Sequence, residues 1–195
     1  VCLINVTEGA PMNDDAINHA RRTRDRSTAI LELVTQLGNP SGVTRQRARQ
    51  ALVAIGPGAV EPLIAALSDP RDQVRWEAAK ALTNLSSRRA AASLVNALED
   101  ENGDVRWLAA EGLVALREGA LRPLLKALSA EADGDELREG AHHVLHELSS
   151  RGFADVVNPV LRALESPAPA ETTPVVAYEA LLKLEHTDRR DPAGT

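Results

Sequence analysis

The chain has 195 residues, enough for one sizeable domain or an elongated array. Hydrophobic residues make up 44% but aromatics only 2%, so a core must be built from Ala, Leu and Val, which suit close-packed helices better than sheet. With 22 Lys and Arg against 28 Asp and Glu the net charge is −6, which disfavours a grip on nucleic-acid phosphates, and one cysteine (Cys2) excludes a disulfide framework and a Cys-based metal site.

In chain order, residues 1–28 read as an N-terminal tail or cap, partly disordered. Val1–Pro11 lacks the basic start and long apolar stretch of a signal peptide, and Met12 could be a natural start. No apolar run approaches the ~20 residues that span a bilayer, so a cytoplasmic, reducing setting is expected. Arg21-Arg22-Thr23-Arg24-Asp25-Arg26 reads as a solvated charge run. With Arg45, Arg47 and Arg49 it makes the first end of the chain basic.

Residues 29–186 are self-similar. Val74-Arg75-Trp76 recurs as Val105-Arg106-Trp107, a shift of 31 residues, and the flanking alanines and leucines recur with it. One leucine falls at Leu37, Leu67, Leu98, Leu128 and Leu164. A second series runs Ala48, Ala78, Ala109, Ala141 and Ala177. Four residues beyond those alanines stand Leu52, Leu82, Leu113, Leu145 and Leu181. Each unit is a helix pair: Val60, Leu63, Ile64 and Leu67 make one helical stripe, and Val74, Ala78, Ala81, Leu82 and Leu85 another. Gly38-Asn39-Pro40, Gly56-Pro57-Gly58 and Ser68-Asp69-Pro70 mark the turns between helices. A lone pair cannot bury its stripe, so five units must stack into one continuous core. Residues 187–195 read as a C-terminal tail.

The motif Leu-x-x-Ala-Leu, a turn with Asp or Pro, then Val-Arg-x-x-Ala-Ala-x-Ala-Leu resembles the HEAT repeats of phycobilisome-lyase-type proteins. The resemblance implies an all-α, right-handed, armadillo-like α-solenoid whose second helices line the concave side. It also implies inter-repeat hydrogen bonds from Asp72, Arg75, Asp104, Arg106, Asp135 and Arg138. A planar guanidinium suits that task, since it can join a carboxylate to helix-end carbonyls.

Departures from the repeat carry the functional information. The interval from first-helix leucine to second helix lengthens in the last two units, which places loops at Ser129–Glu136 and Glu165–Thr173. The face of the second helices outside the core collects Gln46, Arg49, Gln50 and Val53, then Trp76, Ala79, Lys80 and Thr83. It continues with Trp107, Ala110, Glu111 and Val114, then Glu139, His142, His143 and His146, and ends on Val175, Tyr178, Glu179 and Leu182. Trp76, Lys80, Trp107, Glu111, His142, His143, His146 and Tyr178 are the candidate contacts for a protein or peptide partner, with the tryptophans as a ladder that either binds or packs into inter-repeat grooves. His142 and His146 share a helical face, but two ligands do not make a metal site and the order is not His-Glu-x-x-His. No metal, cofactor or catalytic group is expected. The function expected is a non-catalytic scaffold holding a protein or peptide. The resemblance also implies an alternative, a bilin lyase or chromophore-chaperone subunit. A helical-repeat nucleic-acid binder is a third class, disfavoured by charge.

Overall fold

The computed structural model describes residues 14–130 and 134–190, and among these there is no strand. The ten α-helices of this part are α1 (Asp14–Gln36), α2 (Gly42–Ile55), α3 (Val60–Ala66), α4 (Asp72–Leu85) and α5 (Ala91–Asn96), followed by α6 (Gly103–Leu116), α7 (Glu118–Ala130), α8 (Asp135–Leu148), α9 (Ala154–Leu164) and α10 (Pro169–Arg190). Short 3-10 turns lengthen α3 and α5. Odd-numbered helices open the units and even-numbered ones close them, as the repeat requires.

Three element boundaries differ from expectation. α1 runs unbroken across residues 28 and 29, because nothing between Asp14 and Gln36 is Gly or Pro. Its arginines Arg21, Arg22, Arg24 and Arg26 are exposed, and Ile30 is buried. Half of the loop expected at Glu165–Thr173 is helical, because α10 starts at Pro169, and proline fits a first helical position that needs no N–H. α10 also runs past 186 to Arg190. The readings of residues 1–13, the tail beyond 190 and the acidic stretch 131–133 lie outside the described residues.

The core is the repeat made visible. Ala48, Ala78, Ala109, Ala141 and Ala177 are all buried, as are Leu52, Leu82, Leu113 and Leu145 and the first-helix leucines Leu37, Leu67, Leu98 and Leu128. Alanine on the inner face lets helix backbones approach, and leucine on the next turn fills the space between units. Leu164 and Leu181, the last of each series, are only partly buried against this core.

The last unit departs from the series. α2 packs on α4, α4 on α6 and α6 on α8, which makes a row of second helices, while α5 and α7 pack in the first-helix row. Beyond α8 the rows exchange members: α9 packs on α8, and α10 packs on α7 and α9. The cause lies in the backbone after each buried leucine. Leu52 is followed by Gly56 (φ 74°), Leu82 by Ser86 (φ 46°) and Leu113 by Arg117 (φ 53°). In each case a positive φ turns the chain at the same point of the repeat. After Leu145 the matching residue, Ser149, stays helical (φ −56°, ψ −47°), and the turn waits for Gly152 (φ 101°). The chain therefore leaves α8 in a different direction, and the order of helices in the last unit is reversed. Val175, Tyr178, Glu179 and Leu182, expected to continue the face of α6 and α8, lie instead on α10 against the first-helix row.

Candidate functional site

The second-helix row is held in register by its turns. Asn39 Oδ1 accepts from the Ser41 amide (2.9 Å), Asp69 Oδ1 from the Arg71 amide (2.9 Å) and Asp100 Oδ1 from the Asn102 amide (2.8 Å). Each of these is an Asx turn, which presents its carbonyl to the arginine six residues on. Arg45 Nη1 donates to Asn39 O (2.9 Å), Arg75 Nη1 to Asp69 O (2.9 Å) and Arg106 Nη1 to Asp100 O (2.8 Å).

Links between units use Arg75 and Asp72 of the groups expected, with acids that were not. Arg75 is buried and reaches Asp100 of the next turn twice, Nε to Oδ2 at 2.7 Å and Nη2 to Oδ1 at 3.0 Å, and Nη2 also reaches Glu101 Oε1 at 2.9 Å. Its pKa rises further above the usual value, chiefly through the Asp100 bond. Among the described residues Arg106 meets only carbonyls of its own turn, Asp100 O and Glu101 O, and its expected carboxylate partner Asp104 is not bonded to it. Asp72 accepts from Asn102 Nδ2 at 3.1 Å, which does join two units. Arg138 pairs with Asp135 within its own helix. The buried inter-unit acids that the residue pattern missed include Asp100 and Glu77. Asn39, Asp69 and Asp100 recur at the repeat spacing, a signal open to sequence reading. Glu77 has no counterpart in other units. It is buried between Arg45 Nε (3.3 Å) and Arg49 Nη1.

This frame separates the two tryptophans. Trp76 is half-buried and packs on the core, and the Arg49 guanidinium carbon lies 5.7 Å from its ring centroid, a cation–π contact held from behind by Glu77. Trp107, at the same repeat position, is 57% exposed. Its neighbour is His143 of α8, 5.0 Å between ring centroids and tilted by 38°. His143 Nε2 lies 3.1 Å from Glu111 Oε1, so Trp107, Glu111 and His143 form one patch. His142 Nε2 lies 2.9 Å from Glu165 Oε1, beyond α9, and stacks on His146 at 6.4 Å. Lys80 is half-buried on α4. Tyr178 is exposed on α10, apart from this line for the reason given above.

An open groove of about 530 Å³ at the N-terminal ends of α2, α4 and α6 is lined by Arg45, Arg49, Trp76 and Glu77 together with Asp72 and Asp104. A shallower depression of about 460 Å³ continues past Pro70, Asp72, Glu101 and Asn102. Beside it, Arg71 clamps Asp69 through Nε and Nη2, each at 2.9 Å, and this side-chain bond draws the Asp69 carboxyl down to about 2. Among the described residues no three His, Cys, Asp or Glu side chains are grouped to hold a metal ion. Nor is any helix among them long and apolar enough to cross a membrane.

A model of HEAT repeats matches residues 60–146, from α3 into α8. Among solved structures, the chain is similar to one in the complex of CpcE and CpcF of phycocyanin lyase from Nostoc sp. PCC7120. The identity there is 23%, the TM-score 0.52, and 79% of this chain and 98% of that one are covered. A designed armadillo repeat protein in complex with the peptide (KR)4 gives 20% identity and a TM-score of 0.40, over 84% of this chain and 92% of that one. An engineered protein gives 18% identity and a TM-score of 0.41, over 85% and 90%. None of the curated proteins matches this sequence. The buried repeat ladder and the stacked helix pairs make the chain an α-solenoid, and its residues 60–146 match the HEAT-repeat model.

Proposed function

We propose that this chain is a non-catalytic scaffold that holds a protein segment along its second-helix row, with Trp107 as the anchor. The observation that carries this reading is the 57% exposure of Trp107 on a helix packed between two others, one turn beyond Asp104, which lines the open groove. A large amphipathic ring left in water on a rigid support costs free energy until a partner covers it, and such rings are frequent interface anchors. Rigidity adds to this, because a surface already ordered loses little entropy on binding. The His142, His143 and His146 face of α8 extends the same surface towards α9.

The test is retention of partners from an extract of the source organism by immobilised protein, wild type against Trp107→Ala and Trp76→Ala. Trp107→Ala should weaken a captured partner by at least about 2 kcal/mol with an unchanged melting temperature. Trp76→Ala should instead lose roughly 2–3 kcal/mol of stability, because that ring is packed on the core. Equal retention by wild type and Trp107→Ala sinks the reading.

A chromophore-handling role is suggested by the phycocyanin lyase likeness, which at 23% identity carries the fold alone. Mixing with free bilin separates the two: an unchanged visible spectrum disposes of the chromophore role.

A further inference from the structure

We propose that Trp107 is the receptor for an Arg or Lys side chain, so that the segment held on the second-helix row is a basic one. This rests on the scaffold reading above and adds the chemistry of the partner.

The argument starts from what the chain does with its other tryptophan. Trp76 is covered by a guanidinium of its own chain, Arg49 from the preceding unit, at 5.7 Å from the ring. The repeat register allows the same question to be put to Trp107. The residue of α4 that corresponds to Arg49 is Ala79, which is buried and far too short to reach a ring in the next unit. Trp107 thus sits in the same frame as Trp76 with no guanidinium from the preceding unit over it; the His143 ring of the next unit lies 5.0 Å away, and the indole remains 57% exposed.

Charge around the ring points the same way. Asp104 lies one turn before Trp107 on α6, and Glu139 holds the position of Trp107 itself on α8. Both are exposed, and neither carboxylate has a hydrogen bond or ion pair among the described residues. Glu111, one turn after Trp107, is engaged by neutral or protonated His143 and keeps a second oxygen for a donor. Most cations of the same stretch are committed elsewhere: Arg75 to Asp100 and Glu101, Arg106 to the carbonyls of its own turn. Lys80 is the opposing charge on this face, half-buried on α4 and without an ion pair among the described residues. An aromatic face flanked by exposed carboxylates selects a cation through its quadrupole and through Coulomb attraction together. An acidic or purely apolar segment would leave Asp104 and Glu139 unpaired under it.

The test uses three fluorescein-labelled dodecapeptides, of Gly-Arg, Gly-Ser and Gly-Glu repeats, read by anisotropy at low salt against the full chain. The Gly-Arg peptide should bind, and the other two should bind at least tenfold more weakly. Trp107→Ala should weaken Gly-Arg binding at least tenfold, Trp107→Phe should restore most of it, and Asp104→Asn should weaken it severalfold. Binding of Gly-Arg that survives Trp107→Ala unchanged would show diffuse attraction to an acidic chain and overturn the proposal. Equal binding of the three peptides, or no binding of Gly-Arg, overturns it too. The scaffold reading fails separately, by the retention experiment. A native partner lost in Trp107→Ala together with a silent Gly-Arg peptide would remove only the charge assignment.

Discussion

Arg75→Ala is the sharpest probe of how the units are joined. The side chains of Arg75 and Asp100 are 8% and 7% exposed, and their two bonds are 2.7 and 3.0 Å long. Removing the guanidinium leaves Asp100 as a buried carboxylate whose remaining contact is the Asn102 amide at 2.8 Å. It also strands the Asp69 carbonyl. Breaking a buried pair from one side costs about 3–5 kcal/mol, most of it the uncompensated charge, so roughly 3–4 kcal/mol is expected here. Arg106→Ala loses only carbonyl bonds and should cost about 1 kcal/mol. The same logic fixes a rescue. Asp100→Asn in the Arg75→Ala background keeps the Asx-turn oxygen but removes the stranded charge, and should restore at least about 1 kcal/mol. Urea unfolding followed by far-ultraviolet circular dichroism measures all four proteins. The slopes must agree, because a solenoid that unfolds unit by unit would not give comparable free energies. Arg75→Ala no worse than Arg106→Ala, or an Asp100→Asn that deepens the loss, would refute the reasoning.

Other expectations follow from single sites. Thr173 is buried with its hydroxyl unbonded, at the repeat position held by Val74, Val105 and Leu137; Thr173→Val should raise stability by about 1 kcal/mol in the same urea assay. Arg117 closes α6 with φ 53° and ψ −123°, so Arg117→Gly should relieve strain and gain roughly 1 kcal/mol, read as a higher melting temperature. Asp69 titrates at about 2 in the folded protein against 3.8 unperturbed, a lowered value whose contribution is present above pH 3.8 and lost as pH falls towards 2. The stability difference between wild type and Arg71→Gln should accordingly shrink across that window and stay constant from pH 5 to 7.

How much of this was legible without coordinates differs from one feature to the next. The helix pairs, the buried alanines and leucines and the stacking of units were legible because each is enforced locally: a helical stripe of apolar residues has to be covered, and a unit repeated at a fixed spacing is covered by its neighbour in the same way each time. The candidate face of α4, α6 and α8 followed from the same periodicity. Periodicity could not tell Trp76 from Trp107, since their positions are equivalent; Arg49 and Glu77, distant in sequence and outside the repeat, decided that one ring is covered and the other open. Nor could it name the partner of Arg75, because a guanidinium reaches any carboxylate within its length, and Asp100 rather than Asp104 sat in the turn that packs against it. The fate of Tyr178 turned on a single backbone angle. Its alanine and leucine neighbours fit the series, but the left-handed turn after α8 comes three residues late, and a dihedral placed there redirects every residue that follows. Sequence alone thus determined which surfaces must be buried; tertiary structure decided which helix buries them, because several helices offered equivalent stripes and only the turns set their directions.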